Sequence, residues 1–145
     1  MDSRRLVALI ACIALVACWR FRPRPLTETQ RIRNEVELAR QAIEAGSVRD
    51  LLRFVAESYT DNQGNSRTSL RQLTAMAFFQ HPNLVARAGV RNVQVFGAEA
   101  TADVTATVAE RDSGGRVDLE LQLKLAKREG RWQVTHASGV KTGVE

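Results

Sequence analysis

Apolar positions after residue 26 recur at the spacing of an amphipathic helix, and residues that cap helices stand on either side of them. Thr27-x-x-Gln30 is typical of a capping box, in which each side chain binds the other residue's backbone amide. Gly46 follows the last apolar position and predicts the end of the helix. The inward face is formed by Ile32, Val36, Ala39 and Ile43. The pattern predicts a first helix between Thr27 and Gly46.

Two further helices are predicted by the same signals. Ser47-x-x-Asp50 opens a shorter second helix, and Ser69-x-x-Gln72 opens a third one that Pro82 ends. The inward residues of the second helix are Leu51, Leu52, Val55 and Tyr59. Those of the third helix are Leu70, Leu73, Met76 and Ala77.

The apolar period then changes from that of a helix to the alternation of strands. A first strand carries Val93 and Val95, and Gly97 turns the chain. The next strand presents Ala102, Val104, Ala106 and Val108 on one face, and the strand after it presents Val117, Leu119, Leu121, Leu123 and Leu125. Ser113-Gly114-Gly115 is the hairpin turn between them, and Glu129-Gly130 is the turn into a last strand. That last strand is expected to keep Trp132, Val134 and His136 on one face.

Helices followed by an antiparallel meander predict an α+β domain with N-terminal helices packed on a curved antiparallel β-sheet. We place this domain at residues 27–140, with a C-terminal tail at 141–145. The 145 residues suffice for one such domain.

The N-terminus is predicted to be a signal peptide, residues 1–17. Arg4 and Arg5 precede an apolar run of about twelve residues, which is too short for a permanent transmembrane helix. The run ends in Leu15-Val16-Ala17-Cys18, which resembles the lipobox of bacterial lipoprotein precursors. That resemblance implies lipidation of Cys18 and cleavage before it.

Two other interpretations of the N-terminus stay open. Leu9-Ile10-Ala11-Cys12 fits the same pattern, but cleavage there leaves a very short apolar segment. An uncleaved signal anchor is the second alternative. Trp19 follows the favoured cysteine where many lipoproteins of the inner membrane carry Asp, so the resemblance implies the outer membrane, with the domain facing the periplasm.

Residues 18–26 are predicted to be a lipidated tether. Aromatic side chains and arginines alternate in Trp19-Arg20-Phe21-Arg22, which suits a membrane surface, and Pro23 and Pro25 favour an extended conformation. A plain linker explains the segment equally well.

Composition removes several classes of function. The net charge is +5, but the basic residues are scattered and no aromatic platform accompanies them, so nucleic acid is not an expected partner. The two cysteines are Cys12 and Cys18, which leaves the domain without a disulfide or a thiolate metal site.

The order of elements resembles the nuclear transport factor 2-like superfamily, including its polyketide-cyclase-like (SnoaL-like) and steroid-isomerase-like members. The resemblance covers roughly residues 28–138, and its markers are Tyr59, Asp61, Gly64 and Gly130-x-Trp132-x-Val134. It implies a cone with a cavity between helices and sheet. It does not imply one activity, because this fold serves enzymes and binding modules alike.

The cavity-lining candidates are Tyr59, Phe78, Trp132 and His136. His136 is the catalytic candidate, since an imidazole facing a cavity suits a general base, and a hydrogen-bonded histidine near the rim is the alternative. The strand carboxylates Asp103, Asp118 and Glu120 alternate with apolar residues and are expected to face solvent. We therefore assign no family catalytic residue to this chain.

Two other groups of polar residues are expected to be structural. His81 precedes Pro82 at a helix end, where it is predicted to cap the helix. The loop residues Asp61, Asn62 and Asn65 do not match the spacing of a calcium loop and are typical of turns. No metal and no cofactor is predicted.

The sequence thus favours an envelope lipoprotein whose non-enzymatic domain binds a small apolar ligand or a protein partner. The alternative is a small cavity enzyme of the isomerase, dehydratase or cyclase kind, and a structural role in envelope assembly is a third hypothesis. The membrane is the expected partner through the lipid anchor.

Overall fold

The computed structural model describes residues 25–144 and contains three helices and one five-stranded sheet. The first strand lies between the second and third helices, and the other four strands follow the third helix. The predicted signal peptide, the lipidation site Cys18 and tether residues 18–24 lie outside the described residues. The helices are α1 (Glu28–Ala45), α2 (Val48–Leu52) and α3 (Arg67–Gln80). The strands are β1 (Val55–Asp61), β2 (Leu84–Phe96), β3 (Glu99–Glu110), β4 (Arg116–Arg128) and β5 (Arg131–Val144).

Helix α1 forms as its sequence predicts. Thr27 Oγ1 accepts a hydrogen bond from the Gln30 amide at 3.2 Å, and the Gln30 side chain accepts one from the Thr27 amide at 2.9 Å. Gly46 ends the helix in a left-handed conformation, with φ at 65°, which favours glycine. The buried residues are Ile32, Val36, Ala39 and Ala42.

The predicted second helix is wrong beyond Leu52. The residues from Val55 onward form strand β1, which pairs in parallel with β5 at one edge of the sheet. Val55 and Tyr59 are both buried, and their separation of four fits a helix as well as a strand. A register irregularity between Val55 and Thr60 removes the simple alternation by which this strand would have been recognised.

Helix α3 begins three residues earlier than predicted, because Ser66 rather than Ser69 is its N-cap. The Ser66 hydroxyl accepts a hydrogen bond from the Ser69 amide at 3.3 Å. The helix ends at Gln80, before Pro82, as expected. Of its four predicted inward residues, Leu70 is half-buried, whereas the other three are exposed. The buried residue of this helix is Thr74.

The curved sheet has the order β1-β5-β4-β3-β2, and its last four strands are joined as antiparallel hairpins. The predicted turns at Gly97, Ser113–Gly115 and Glu129-Gly130 are confirmed. Two differences concern strand length: β2 begins at Leu84, well before Val93, and β5 continues beyond the predicted domain boundary at 140.

One face of the sheet packs against the helices and carries the core. Along β4, Leu123 and Leu125 are buried, whereas Val117, Leu119 and Leu121 are half-buried. The core therefore becomes shallower along this strand, from Leu125 towards Val117. The largest fully buried side chains are Trp132, Ile32, Leu52 and Leu125.

Side chains of α1 cover the free edge of β2. Arg40 Nη1 lies 3.2 Å from the Ala86 carbonyl oxygen, and the Ala86 amide lies 3.4 Å from Glu44 Oε2. Arg40 also pairs with Glu44 and, at 2.7 Å, with Glu37. The amide and the carbonyl of Ala86 are therefore both hydrogen-bonded, at a sheet edge where they would otherwise be unpaired. These contacts fix α1 across the sheet.

Candidate ligand cavity

A cavity of about 190 Å³ lies between the helices and the inner face of the sheet. Helix α1 contributes Val36, Ala39 and Ile43 to its wall, and the sheet contributes Ala86, Ala88, Val104, Ala106 and Val108. Leu51, Phe54 and Leu70 complete the helical side. Small residues on β2 and β3 create the space, because alanines occupy positions that face the helices.

The cavity is open to solvent on the side of β2 and β3. Ala88 lies on the inner face yet is exposed, and its neighbours Ala106 and Val108 are only half-buried. Leu70 of α3 lines the cavity, but the following turns of that helix do not. The inner face of the sheet is therefore uncovered beyond Leu70.

Tyr59 is placed in the cavity wall by strand β1. Its side chain is buried, and its hydroxyl lies 3.4 Å from Asp61 Oδ2. Burial, together with the neighbouring Asp61 charge, raises the pKa of Tyr59 to about 12. The phenol is therefore protonated at neutral pH, and its hydrogen bond points towards the loop.

Asp61 is engaged in holding the loop between β1 and α3. Its Oδ1 accepts hydrogen bonds from the amides of Gln63 at 2.9 Å and Asn65 at 2.8 Å. Its Oδ2 accepts one from Asn65 Nδ2 at 3.0 Å. Burial raises the pKa of this carboxyl, but the hydrogen bonds from Asn65 and Gln63 outweigh burial and lower it. Tyr59 and Asp61 are thus hydrogen-bonded to each other at the edge of the cavity, a pairing that the sequence did not predict.

The loop is a turn, as its sequence predicts. Asp61 Oδ1 accepts from the Gln63 amide two residues further on, which is an Asx-type turn, and Asn65 donates to the same carboxylate. Among residues 25–144, no three His, Cys, Asp or Glu side chains come together in a way that would hold a metal ion.

His136 does not share the inward face of Trp132 and Val134, contrary to the sequence expectation. Leu125 pairs with Val134, but Lys124 pairs with His136, so one extra residue of β5 is accommodated between them. This β-bulge reverses the alternation. The His136 Nδ1 lies 3.5 Å from Thr60 Oγ1, on the face of the sheet opposite the cavity.

Two further predicted lining residues lie outside the cavity wall. Trp132 is fully buried, and its indole Nε1 donates to Glu28 Oε2 at 2.7 Å near the start of α1. Phe78 is half-buried on α3 and does not reach the cavity. The lining residue Phe54 was missed because it lies in the short connection between α2 and β1, where no periodic pattern reports an inward side chain.

His81 caps α3, as predicted. Its amide donates to the Ala77 carbonyl at 2.9 Å, and its Nδ1 lies 3.1 Å from Glu110 Oε2. The hydrogen bond from Ser113, followed by that from His81, lowers the pKa of Glu110. Asn83 Nδ2 donates to Asp112 Oδ2 at 2.6 Å beside it. The end of α3 is thereby attached to the hairpin between β3 and β4.

The strand carboxylates belong to the face opposite the cavity, where a separate polar cleft of about 470 Å³ lies. Asp103 accepts a hydrogen bond from Asn92 Nδ2 at 2.9 Å, and Glu120 lines the same cleft. Asp118 accepts a hydrogen bond from Thr107 Oγ1 at 2.7 Å. None of these three carboxylates lines the apolar cavity.

The fold occurs in many solved structures at low sequence identity. The chain is similar to Bd1075 of Bdellovibrio bacteriovorus, with a TM-score of 0.69 and 10% identity over 79% of this chain, but it spans only 40% of that chain. It is also similar to an ntf2-like protein of unknown function from Shewanella baltica, with a TM-score of 0.61 and 17% identity over 82% of this chain and 99% of that chain. The domain has the nuclear transport factor 2-like fold.

The structural neighbours of this nuclear transport factor 2-like domain include one whose name describes an enzyme. A putative scytalone dehydratase from Novosphingobium aromaticivorans matches with a TM-score of 0.69 and 12% identity over 81% of this chain and 86% of that chain. No family model and no curated protein sequence matches this chain. Identities this low support a shared fold and do not establish a shared activity.

Within residues 25–144, no helix combines the length and the apolar character needed to cross a membrane.

Proposed function

We propose that this protein is a lipid-anchored envelope protein whose nuclear transport factor 2-like domain binds a small apolar ligand and catalyses no reaction. The observation that carries the proposal is the nearly complete aliphatic lining of the cavity. An enclosed apolar cavity of about 150 Å³, engineered into another protein, binds benzene or xenon, which shows that such a lining holds small apolar molecules. The cavity of this domain is somewhat larger, at about 190 Å³.

The polar groups near the cavity support binding rather than catalysis. Acid–base chemistry needs titratable groups that converge on a substrate with pKa values near the working pH. Here the Tyr59 pKa of about 12 is far from neutral, and Asp61 is occupied by the loop amides. Arg40, at the margin, is engaged by Glu37 and Glu44.

The ligand is tested by thermal unfolding of the processed full chain in bilayer nanodiscs, with toluene as the probe. Saturating an apolar site at 100 times its Kd stabilises a protein by about 2.7 kcal/mol, which is on the order of 10 °C in a domain of this size. Ala106→Leu fills the cavity and is expected to abolish this shift. The control is Thr101→Leu, which adds a similar side chain to the opposite face of the same strand.

A shift of equal size in the Ala106→Leu variant and in wild type would contradict binding in this cavity. An absence of any shift with toluene, and with longer alkyl probes such as octanol, would remove the ligand-binding proposal altogether.

The membrane anchor is the second part of the proposal and rests on the sequence resemblance at Cys18. Acylated cysteines hold a protein at a membrane because each buried methylene contributes about 0.8 kcal/mol. Metabolic labelling with a tagged fatty acid is expected to lose its signal in Cys18→Ala and keep it in Cys12→Ala. The opposite result would move the site to Cys12, and no label in either protein would refute the anchor.

An enzymatic role is the alternative, and the observation that favours it is the pairing of Tyr59 with Asp61 at the cavity's edge. In that case the Tyr59 hydroxyl would donate a hydrogen bond to a bound substrate. Tyr59→Phe then abolishes turnover while ligand binding persists. Under the proposed function, Tyr59→Phe leaves both ligand binding and complementation of a deletion strain intact.

A further inference from the structure

The cavity between the helices and the sheet is long and narrow. Its wall takes residues from all five strands, from Tyr59 on β1 to Ala88 on β2. Neighbouring strands are about 4.8 Å apart, so a floor that crosses the whole sheet is roughly 15–20 Å long once its curvature is allowed for. The volume of about 190 Å³ is spread over that length. The space is therefore a channel across the sheet rather than a rounded pocket.

The two ends of this channel differ in their exposure. At the end formed by β1 and β5, the wall residues Val55, Tyr59 and Val134 are all buried. At the other end, Ala88 of β2 is exposed, and Ala106 opposite it on β3 is half-buried. The channel is therefore closed at β1 and open at β2. A ligand can be buried along most of its length and still keep one end in solvent.

The wall of the channel offers a ligand few hydrogen-bond partners. Among the described wall residues, those with polar side chains are Arg40, Tyr59 and Arg87. The Tyr59 hydroxyl is hydrogen-bonded to Asp61, and the Arg40 guanidinium is bound by two glutamates of its own helix. Arg87 alternates with the inward alanines of β2, so its side chain lies on the opposite face of the sheet. A carbonyl or hydroxyl group buried in the channel would therefore lose its hydrogen bonds to water without replacement, which is costly.

We infer that the ligand of this channel is an unbranched alkyl chain whose polar end stays in solvent beside Ala88. Such a chain is narrow, extends along the channel and places no polar atom among the aliphatic side chains of the wall. A cage or fused-ring ligand needs a wider space, and forcing extra bulk into a packed interior is destabilising. The inference rests on the proposed function, because it names the class of ligand for the same cavity.

A series of chain lengths tests the inference on the processed full chain in bilayer nanodiscs. The Kd values of 1-hexanol, 1-octanol and 1-decanol are obtained from the dependence of the thermal shift on the free aqueous concentration of each alcohol. Each shift is taken relative to that of Ala106→Leu, whose cavity is filled, because alcohols also enter the bilayer. We expect the Kd to fall about fourfold for each methylene added within the channel. Decanoyl lysophosphatidylcholine then replaces 1-decanol. Its binding would identify a phospholipid as a source of the chain and its failure a free chain, and both results uphold the alkyl ligand.

A compact probe and a matched pair of variants test the shape of the channel and its direction. The cage alcohol 1-adamantanol partitions into apolar solvents much as 1-hexanol does, and we expect it to bind about tenfold more weakly because it overfills the channel. Ala88→Phe narrows the open end and is expected to remove the gain from 1-hexanol to 1-decanol. The control is Gln94→Phe, which adds the same ring to an exposed position of β2 that alternates with the core-facing Val93 and Val95, and it should keep the gain.

Three results would overturn the inference and leave the proposed function intact. The first is a Kd that stays the same from 1-hexanol to 1-decanol. The second is binding of 1-adamantanol as tight as that of 1-hexanol. The third is an undiminished gain with chain length in Ala88→Phe, since the chain would then not extend towards β2. An absence of binding by toluene and by every alcohol would instead refute the proposed function, and the inference with it.

Discussion

Helices α1 and α3 begin from similar sequence patterns and reach different environments. Both have a capping residue at the start and apolar residues at helical spacing. Helix α1 buries Ile32, Val36, Ala39 and Ala42, whereas the buried residue of α3 is Thr74. Periodicity therefore identifies a helix and its apolar face, but it does not reveal whether the rest of the protein covers that face.

The attachments of the two helices differ in the same way. Glu28 of α1 receives hydrogen bonds from Trp132 and, at 2.9 Å, from Lys127, and Arg40 and Glu44 bind the edge of β2 further along. Within residues 25–144, the side-chain hydrogen bonds that attach α3 to other elements are those of Arg67 and His81, near its two ends, while Leu70 packs against the core and Thr74 is buried between them. The outward side of the helix, with Leu73, Met76 and Phe79, stays exposed.

The largest expected effect comes from truncating the apolar faces. Ile32→Ala should lower the free energy of unfolding by about 2–5 kcal/mol, because Ile32 is fully buried. Leu73→Ala should change it by about 0.5 kcal/mol or less, because Leu73 is half exposed. Denaturant titration of both variants measures the difference. Equal losses would mean that α3 is packed as tightly as α1.

The attachment of α3 at its start should have the next largest effect. Arg67 donates from Nε to the Val55 carbonyl and from Nη2 to the Leu52 carbonyl, each at 3.1 Å. Arg67→Met removes both donors and should cost about 1–3 kcal/mol, because partly buried carbonyls lose their partners. Arg71→Met, on the exposed side, is the control and should stay within about 0.5 kcal/mol of wild type. A similar cost for both would refute the role of Arg67.

Acid should weaken the attachments of α1 and α3, and each attachment depends on its own carboxylate, Glu28 for α1 and Glu110 for α3. Hydrogen bonds from Lys127 and then Trp132 hold the pKa of Glu28 below its ordinary 4.5. A depressed pKa means that the unfolded chain binds a proton more readily, so this stabilisation is present above pH 4.5 and is lost as the pH falls through the folded value.

Glu28→Gln should therefore flatten the acid limb of the unfolding free energy plotted against pH. Glu110, whose pKa is also lowered, attaches the end of α3, so Glu110→Gln should flatten the acid dependence of hydrogen exchange in α3. An acid limb that neither substitution changes would show that other carboxylates govern the response.

The smallest effect is expected at His136. Its side chain lies on the face opposite the cavity, beside Thr60. His136→Gln should change the free energy of unfolding by no more than about 0.5 kcal/mol and leave toluene binding unaltered. Loss of complementation by this variant, when it is folded and correctly localised, would revive a functional role for the imidazole.

Local rules of the chain predicted much of this architecture. The capping box of α1, its glycine stop and the hairpin turn at Glu129-Gly130 depend on residues a few positions apart, so their physical causes are visible in the sequence. The alternation along β4 likewise identified the inward face of that strand. The cone followed from this order of helices and strands and from the resemblance to its superfamily.

The tertiary structure decided the features that depend on distant partners. Val55–Asp61 is a strand because β5 lies beside it, although its apolar spacing also fits a helix. One extra residue in β5 places His136 opposite the cavity, since a shift of one position reverses every side chain that follows. The exposure of α3 is of the same kind: the spacing of its apolar residues created the face, and the position of the other elements left that face uncovered.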